Sequence, residues 1–246
     1  METSGRDLRD RTELLKRKKV ILVVGVIGSG KSSLCRELGK ELDALILMEQ
    51  AQEHGNPFLD DFYLDMNRWA FTLQIHQLAT RYRQHDLAQS YALTGLGDVV
   101  IDGGFWLDTC FARLIRKNGL MEEREYETYE RLFRSMTSKV MYPNIVIRLN
   151  TTPQVALDRV HRRAGEHPER ASEADKVDLG YLTMLDNEIS LLCHELGTVG
   201  VEILRCFWNE DRYTTEQRRQ AIEGMAQMIR EFDPPDPFLS SWKRIV

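Results

Sequence analysis

Short apolar runs alternate along this chain with longer segments in which apolar residues recur at helical spacing. The apolar runs predict strands at residues 20–24, 44–48, 98–102, 144–149 and 199–204. The longer segments predict helices at about residues 34–42, 66–85, 107–118, 122–139, 153–163, 173–195 and 214–231. Strands that are separated by helices favour a parallel sheet with helices on both faces. The pattern therefore predicts an α/β fold, a doubly wound five-stranded parallel sheet with ligands at the carboxyl ends of its strands.

Composition sets the domain organisation and excludes some classes of partner. The 246 residues, 42% of them hydrophobic, suit one large core. We expect a charged segment at residues 1–18, one domain at residues 19–232 and a proline-containing tail at residues 233–246. The net charge of −5 gives no general attraction to nucleic acid. No apolar stretch approaches the roughly 20 residues that span a bilayer, so no membrane partner is expected.

The start of the chain and the cysteines indicate the compartment. Residues 1–19 are charged throughout and lack the apolar region of a signal peptide. The four cysteines are scattered, without metal-ligand spacing, as in proteins of a reducing compartment. Both features predict the cytoplasm, which would be the host cytoplasm for a phage-encoded chain.

A glycine-rich loop follows the first predicted strand and opens the first predicted helix. Its spacing matches a phosphate-binding P-loop, in which backbone N–H groups and a helix N-terminus surround phosphate oxygens. Lys31 would reach the β- and γ-phosphates, and the Ser32 hydroxyl would ligate Mg²⁺. The loop therefore predicts a P-loop NTPase-type fold that binds ATP and Mg²⁺. The residues expected to hold the nucleotide are Gly25, Val26, Ile27, Gly28, Ser29, Gly30, Lys31, Ser32 and Ser33.

A more specific pattern follows the second predicted strand and reads Asn56-Pro57-x-Leu59, Phe62-Tyr63, Arg68-Trp69-x-Phe71 and Gln74. This run resembles the deoxynucleoside kinase family, and the likeness extends from the P-loop to about residue 195. The resemblance implies a kinase that transfers the γ-phosphate of ATP to a hydroxyl of a deoxynucleoside unit. It also implies an arginine-bearing lid, here about residues 159–178, and it is compatible with a homodimer.

The resemblance assigns roles at the acceptor end of the site. Glu49 would be the general base that takes the proton of the attacking hydroxyl, and Tyr63 would bond the sugar 3′-hydroxyl. Gln74, Arg81 and Asp108 would form a polar clamp around the nucleobase. An amide carries a donor and an acceptor side by side, which complements the edge of a base. Gln74 and Arg81 also lie seven residues apart on one predicted helix, and hence on one face.

At the phosphate end, the resemblance assigns a carboxylate and two arginines. Asp102, at the end of the third predicted strand, would hold Mg²⁺ or its water together with Ser32. Arg159 and Arg163 begin the lid segment and would place positive charge on the transferring phosphoryl oxygens. The lid itself would close over the triphosphate and exclude water.

The end of the third predicted strand departs from the family pattern. Where the family has an acidic residue followed by arginine and serine, this chain reads Asp102-Gly103-Gly104. The arginine that contacts the acceptor oxygen in the family is therefore absent. One well-placed arginine contributes about 10³–10⁵ to the rate of phosphoryl transfer. A free-nucleoside kinase would have to supply that charge from elsewhere, for example from Arg83 or Arg170.

Two further departures affect the lid and the general base. The lid lacks another family arginine at Gly165 and runs longer before Tyr181. Extra residues after Glu49 leave Glu53 as a rival for the role of general base. The choice between the two glutamates stays open at the level of the sequence.

The two glycines favour a polymeric acceptor as the leading hypothesis. They leave room for a close approach by substrate beside the expected 5′-oxygen. That room suits a nucleotide within DNA, whose 5′-oxygen is already esterified, so that the hydroxyl would have to lie on the base. The combination resembles phage 5-hydroxymethyluridine DNA kinases, which phosphorylate 5-hydroxymethyluracil within DNA. The base would leave the stack, with Trp69, Phe105 and Trp106 as candidate stacking partners.

Two other hypotheses remain. The chain would be a free-deoxynucleoside 5′-kinase if another arginine serves the acceptor, or a catalytically silent nucleotide-binding subunit, as in heterodimeric relatives. Intact Lys31, Ser32, Glu49 and Asp102 argue against a silent subunit. The expected partners are thus a nucleoside triphosphate and either DNA with a modified pyrimidine or a free deoxynucleoside.

Overall fold

The computed structural model describes residues 17–49, 56–167, 171–209 and 215–234. The strands form one parallel sheet in the order β2-β3-β1-β4-β5. They are β1 (Val20–Val24), β2 (Leu45–Leu47), β3 (Val99–Asp102), β4 (Ile145–Asn150) and β5 (Glu202–Phe207). The predicted five-stranded parallel sheet is therefore confirmed, and the strand that precedes the P-loop lies at its centre.

Helices connect the strands and cover both faces of the sheet. They are α1 (Lys31–Leu42), α2 (Leu59–Leu64), α3 (Met66–Leu93), α4 (Gly104–Lys117), α5 (Glu123–Thr137), α6 (Pro153–Glu166), α7 (Ala171–Lys176), α8 (Leu179–Thr198) and α9 (Thr215–Glu231). Among the described residues, no helix combines the length and the apolar character needed to cross a membrane. Of the predicted terminal segments, only residues 17, 18, 233 and 234 lie within the described part of the chain.

β1 is buried along its whole length because its side chains alternate between two apolar layers. Ile21 and Val23 belong to the layer formed with α1 and α9. Leu22 and Val24 belong to the layer that contains buried residues of α3, α4 and α8. A strand that is covered on both faces needs a continuous apolar run, which explains why this strand was predicted at its observed boundaries.

Helix and strand boundaries differ from the prediction at several places. The expected single helix at residues 173–195 is wrong: the chain is extended at Asp178, whose carboxylate accepts from the Tyr181 N–H at 2.7 Å and starts α8. α3 continues to Leu93, past the predicted end, because small buried residues such as Ala88 and Ala92 keep that face on the core. β5 starts later than predicted, since Gly200 turns the chain with φ +90°. The short helix α2 was not predicted.

Asp178 should determine where α8 begins. Asp178→Ala removes the side-chain acceptor at this N-cap and should lower the free energy of unfolding by about 0.5–2 kcal/mol. Urea unfolding followed by circular dichroism measures the change. Asp178→Ser keeps a capping oxygen and should retain most of the stability, whereas equal losses in both variants would contradict a capping role.

Candidate active site

The loop after β1, the residues that follow β2 and helix α6, which contains the predicted lid arginines, surround one open cleft of about 2060 Å³. A pocket for a single small molecule has about 300–1,000 Å³, so this cleft has room for two ligands side by side. Its walls include residues predicted for both ends of the site, namely Lys31, Ser32, Glu49, Tyr63, Gln74, Arg81, Asp108, Arg159 and Arg163. Val26, Ser29 and Asp102 lie buried behind this surface.

The loop between β1 and α1 has a backbone shape that only glycine adopts readily. Gly28 has φ +78° and Gly30 has φ +95°. A Cβ atom at Gly28 would lie 2.3 Å from the carbonyl oxygen of Ala156, so a side chain is also excluded by space. The loop therefore packs directly against the lid helix α6.

Lys31 folds back onto this loop. Its Nζ donates to the carbonyl oxygens of Gly25 at 3.0 Å and Val26 at 2.9 Å. Burial lowers the pKa of the amine, while the negative charges of Asp102 and Glu49 oppose that change. The amine is thus held inside the loop, where phosphate oxygens could replace the two carbonyl acceptors.

Ser32 and Asp102 connect the loop to the end of β3. Ser32 Oγ donates to Asp102 Oδ2 at 2.5 Å. The other oxygen, Asp102 Oδ1, is buried and has no hydrogen-bond partner within the described part of the chain. A hydroxyl and a carboxylate are hard oxygen ligands of the kind that Mg²⁺ prefers, with phosphate oxygens and waters completing its shell. The described residues contain no cluster of three or more His, Cys, Asp or Glu side chains that could hold a metal ion without such a ligand.

The two lid arginines make different contacts. Arg159 donates to the carbonyl oxygens of Ser29 at 3.3 Å and Trp208 at 3.0 Å, which fixes it beside the P-loop. Arg163, one turn further along α6, pairs with Glu173 of α7 at an Nη2–Oε2 distance of 2.7 Å. Arg159 is therefore already close to the phosphate loop, whereas Arg163 would have to exchange a carboxylate for a phosphoryl group.

Gln74 and Asp108 bring unpaired acceptors to the cleft. Gln74 Oε1 and Asp108 Oδ2 are buried, and neither has a hydrogen-bond partner among the described residues. Burial raises the pKa of Asp108 to about 7, although the positive charge of Arg81 opposes the shift. Burial also raises the pKa of the Tyr63 hydroxyl, which stays protonated and able to donate. Buried polar atoms without partners cost free energy, so a ligand that satisfies them would be favoured.

Arg81 bridges three acidic residues at the acceptor end. Its Nη2 donates to Glu49 Oε1 at 2.5 Å, and its Nη1 donates to the carbonyl oxygen of Asp102 at 3.0 Å. Its Nε lies 3.7 Å from Asp108 Oδ1. The guanidinium group thus contacts the candidate general base as well as the predicted nucleobase clamp. The rival base Glu53 lies outside the described residues.

The Arg81 guanidinium lies beside Gly103 at the wall of the cleft. A Cβ atom at Gly103 would lie 3.8 Å from both terminal nitrogens of Arg81. The arginine beside Gly103 is Arg81. Arg83, one candidate for the missing charge, lines the same cleft, and Arg170, the other candidate, lies outside the described residues. Gly103 and Gly104 have φ +78° and +72°, so the backbone itself requires glycine at both positions, without any need to admit a polymer.

Two of the three candidate stacking aromatics belong to the core. Phe105 stacks on Phe133 with ring centroids 4.8 Å apart, and Trp106 stacks on Tyr142 at 4.7 Å. Both side chains are almost fully buried and so are not available to a flipped base. Trp69 is half-buried and stacks on Phe58.

Some residues around the cleft were missed by the sequence prediction. Thr151 Oγ1 donates to the carbonyl oxygens of Ser29 and Trp208, at 3.2 and 3.3 Å, and so joins the ends of β4 and β5 to the P-loop. Glu173, the partner of Arg163, lies in the predicted lid. Thr151 directly follows the fourth strand, which was a usable signal, but nothing local distinguishes Trp208 or Glu173.

The fold and this loop together define a P-loop protein of the phosphoryl-transferring class. The chain matches the family described as deoxynucleoside kinase over residues 21–230. It is 30% identical over 218 residues to a deoxyadenosine kinase of Dictyostelium discoideum, covering 87% of this chain and 83% of that protein. The chain therefore belongs to the deoxynucleoside kinase family and is a phosphotransferase with an alcohol group as acceptor.

Further relatives agree with this assignment. A deoxyadenosine/deoxycytidine kinase of Bacillus subtilis is 33% identical over 155 residues, which are 62% of this chain and 69% of that protein. The structure of a deoxyadenosine kinase from M. mycoides with bound dATP superposes with a TM-score of 0.68 at 20% identity, over 87% of this chain and all of that one. At this identity the superposition supports the fold alone, which is the α/β fold described above.

The raised pKa of Asp108 predicts a pH-dependent effect on stability. Between its ordinary value of 3.8 and about 7, the folded protein keeps a proton that the unfolded chain has lost. This group therefore makes the fold less stable as pH rises, by about 1.4 kcal/mol for each pH unit in that window. Asp108→Asn removes the titration, so its stability relative to the parent should improve between pH 4 and pH 7.

Urea unfolding of both proteins at several pH values measures this difference, and the other titrating groups cancel in the comparison. The charged groups that act on Asp108 are Arg81 and Glu49, so their substitution should move the window. Parallel stability curves for parent and Asp108→Asn would show that this carboxyl titrates normally.

Proposed function

We propose that this protein phosphorylates the 5′-hydroxyl of free deoxynucleosides, with ATP as phosphate donor. The observation that carries the proposal is the shared cleft, in which a P-loop lies together with a carboxylate, a tyrosine and the buried pair Gln74 and Asp108. Room for two ligands suits a reaction between a triphosphate and a nucleoside. The names of the relatives, which include kinases of deoxyadenosine, deoxycytidine and deoxyguanosine, support free deoxynucleosides as the substrate class.

Residues of the loop and the lid would act on the triphosphate. Lys31 would exchange the carbonyls of Gly25 and Val26 for β- and γ-phosphate oxygens, and Arg159 would add positive charge beside them. Ser32 and Asp102 would hold Mg²⁺, which supplies charge neutralisation for the phosphates when bound. Arg163 would leave Glu173 on closure of the lid, so that its charge becomes available to the transferring group.

Glu49 would take part directly in the transfer. The acceptor hydroxyl gives its proton to the Glu49 carboxylate while its oxygen bonds to the γ-phosphorus. The bond from the γ-phosphorus to the β,γ-bridging oxygen breaks, and ADP leaves with the electron pair of that bond. General-base catalysis of this kind contributes about 10²–10⁴ to the rate. Tyr63, a protonated donor in the same cleft, would bond the sugar hydroxyl.

Gln74 and Asp108 favour bases that present an amino group beside a ring-nitrogen acceptor. The Gln74 amide can accept from an amino group and donate to the adjacent ring nitrogen, as the Watson–Crick edges of adenine and cytosine require. Asp108, whose pKa is raised by burial to about 7, adds a further acceptor for the second amino hydrogen when it is ionised. Uracil and thymine present carbonyl oxygens at that edge, which a carboxylate repels. We therefore propose deoxyadenosine or deoxycytidine as preferred acceptors.

The DNA hypothesis receives less support. Its main argument was the glycine pair at residues 103 and 104, whose positive φ values account for the glycines without a polymer, and the Arg81 guanidinium lies beside Gly103. Phe105 and Trp106, two of its stacking candidates, are core residues. The silent-subunit hypothesis is also disfavoured, because the P-loop lysine, the candidate base and the Ser32–Asp102 pair are all in place.

A panel of acceptors tests the proposal. Radiolabelled ATP would be offered with each of the four deoxynucleosides, with plain DNA and with DNA that contains 5-hydroxymethyluracil. We expect labelled monophosphates of deoxyadenosine or deoxycytidine, at rates that change little with salt. Activity on modified DNA alone, falling steeply as counterions accumulate, would contradict the proposal and return the DNA hypothesis to first place.

Lys31 should be required for transfer and not for folding. Lys31→Ala removes charge from the phosphate site but little apolar contact, so activity should fall by about 10²-fold or more with an unchanged circular dichroism spectrum. Steady-state rates at saturating ATP measure the loss. A folded Lys31→Ala protein with full activity would mean that this P-loop does not serve the reaction.

A further inference from the structure

Arg81 is placed to control the candidate base as well as the acceptor pocket. Its side chain is only 9% exposed, yet its guanidinium group reaches Glu49, the Asp102 carbonyl and Asp108. These three partners belong to the ends of β2 and β3 and to α4. One group that extends from α3 therefore ties together the elements that surround the acceptor position.

The Glu49 side chain needs a contact that fixes its orientation. Glu49 follows a strand of only three residues at the edge of the sheet, and its side chain is 57% exposed. An exposed glutamate populates several rotamers, and fixing it costs conformational entropy. Arg81 Nη2 fixes Oε1, and Arg81 is itself held by the Asp102 carbonyl. An ion pair with an exposed carboxylate adds little stability, so the contribution of this pair would be the orientation of Glu49.

The backbone at the end of β3 explains why the charge comes from α3. The Gly103 N–H donates to the Val23 carbonyl at 3.0 Å, which keeps residue 103 in the sheet edge with φ +78°. A longer side chain at Gly103 would be strained at this φ and would start 3.8 Å from the Arg81 guanidinium. Residue 103, a glycine, supplies no cation here, and the long side chain of Arg81 brings a guanidinium beside it.

We infer that Arg81 is a positioning residue that holds the Glu49 carboxylate towards the acceptor hydroxyl, so that Gln74 and Asp108 alone contact the nucleobase. The inference rests on the proposed function, in which Glu49 is the general base. The three guanidinium nitrogens are directed to Glu49, Asp102 and Asp108, whereas Gln74 Oε1 and Asp108 Oδ2 have no partner among the described residues. Base contact by Arg81 is the competing role.

A double-mutant cycle separates the two roles. The proteins are the parent, Arg81→Gln, Glu49→Gln, the double variant and Arg81→Lys, assayed for kcat and for the KM of ATP and of the preferred deoxynucleoside. Arg113→Gln serves as the control, because it removes a largely buried arginine from an ion pair, here with Glu195 at 2.9 Å, and Arg113 does not line the cleft. Circular dichroism and thermal melting report folding for every variant.

If Arg81 positions Glu49, the Arg81 substitution should lower kcat, and the effects of the Arg81 and Glu49 substitutions should not add. Arg81→Gln should lower kcat by about 10²-fold, the cost of misplacing a reacting group by about 1 Å, with little change in either KM. The double variant should be about as slow as Glu49→Gln alone, since a base that is absent cannot be misplaced. Arg81→Lys keeps the charge but cannot reach all three partners, so its kcat should lie between those of the parent and Arg81→Gln. The control should lose thermal stability and keep its kcat.

Other outcomes overturn the inference. A raised nucleoside KM at unchanged kcat, or losses that multiply in the double variant, would assign Arg81 to the base. If the parent acts on modified DNA and not on nucleosides, the proposed function fails. The same double-mutant cycle, run with DNA as acceptor, then still tests whether Arg81 positions Glu49. A crystal structure of Arg81→Gln needs no acceptor: the Glu49 carboxylate should change rotamer, and an unchanged carboxylate would overturn the positioning role.

Discussion

The hydrogen bond between Ser32 and Asp102 is the contact on which the rest of the site depends. It joins the first turn of α1 to the end of β3, across neighbouring strands of a sheet whose register is fixed by two apolar layers. The P-loop is thereby set against the residues that follow β3. Since α4 starts two residues after Asp102, the register of β3 also sets where Asp108 enters the cleft.

From this contact the acceptor end is built by backbone geometry. The two glycines after Asp102 have positive φ and turn the chain directly from strand to helix. This tight turn buries Phe105 and Trp106 in the core and brings Asp108 to the cleft wall. It also means that a side chain at residue 103 would be strained, and glycine supplies none. A cation in this region has to come from another element, and α3 passes close enough for an arginine to reach.

Much of this arrangement could be predicted from the sequence, and the failures have physical causes. β1 and the P-loop were predicted because a doubly covered strand and a glycine loop are local patterns. Gln74 and Arg81 share a helix face by spacing alone. The contact between Arg81 and Glu49 was not predictable in this way, since it depends on the conformation of a long side chain and on the φ value of Gly103. The start of α8 was missed because an Asp178 cap inside a polar stretch interrupts no hydrophobic pattern.

The pair Gly103 and Gly104 also leads to opposite conclusions in the sequence and in the structure. In the sequence, a missing arginine and two small residues suggest added space and hence a larger substrate. In the structure, the positive φ values of Gly103 and Gly104 explain the glycines, and the guanidinium group of Arg81 lies beside Gly103. Loss of a side chain at one position therefore does not imply loss of its chemistry at that place. What matters for phosphoryl transfer is where the guanidinium group lies, and a side chain as long as arginine can bring it there from a neighbouring helix.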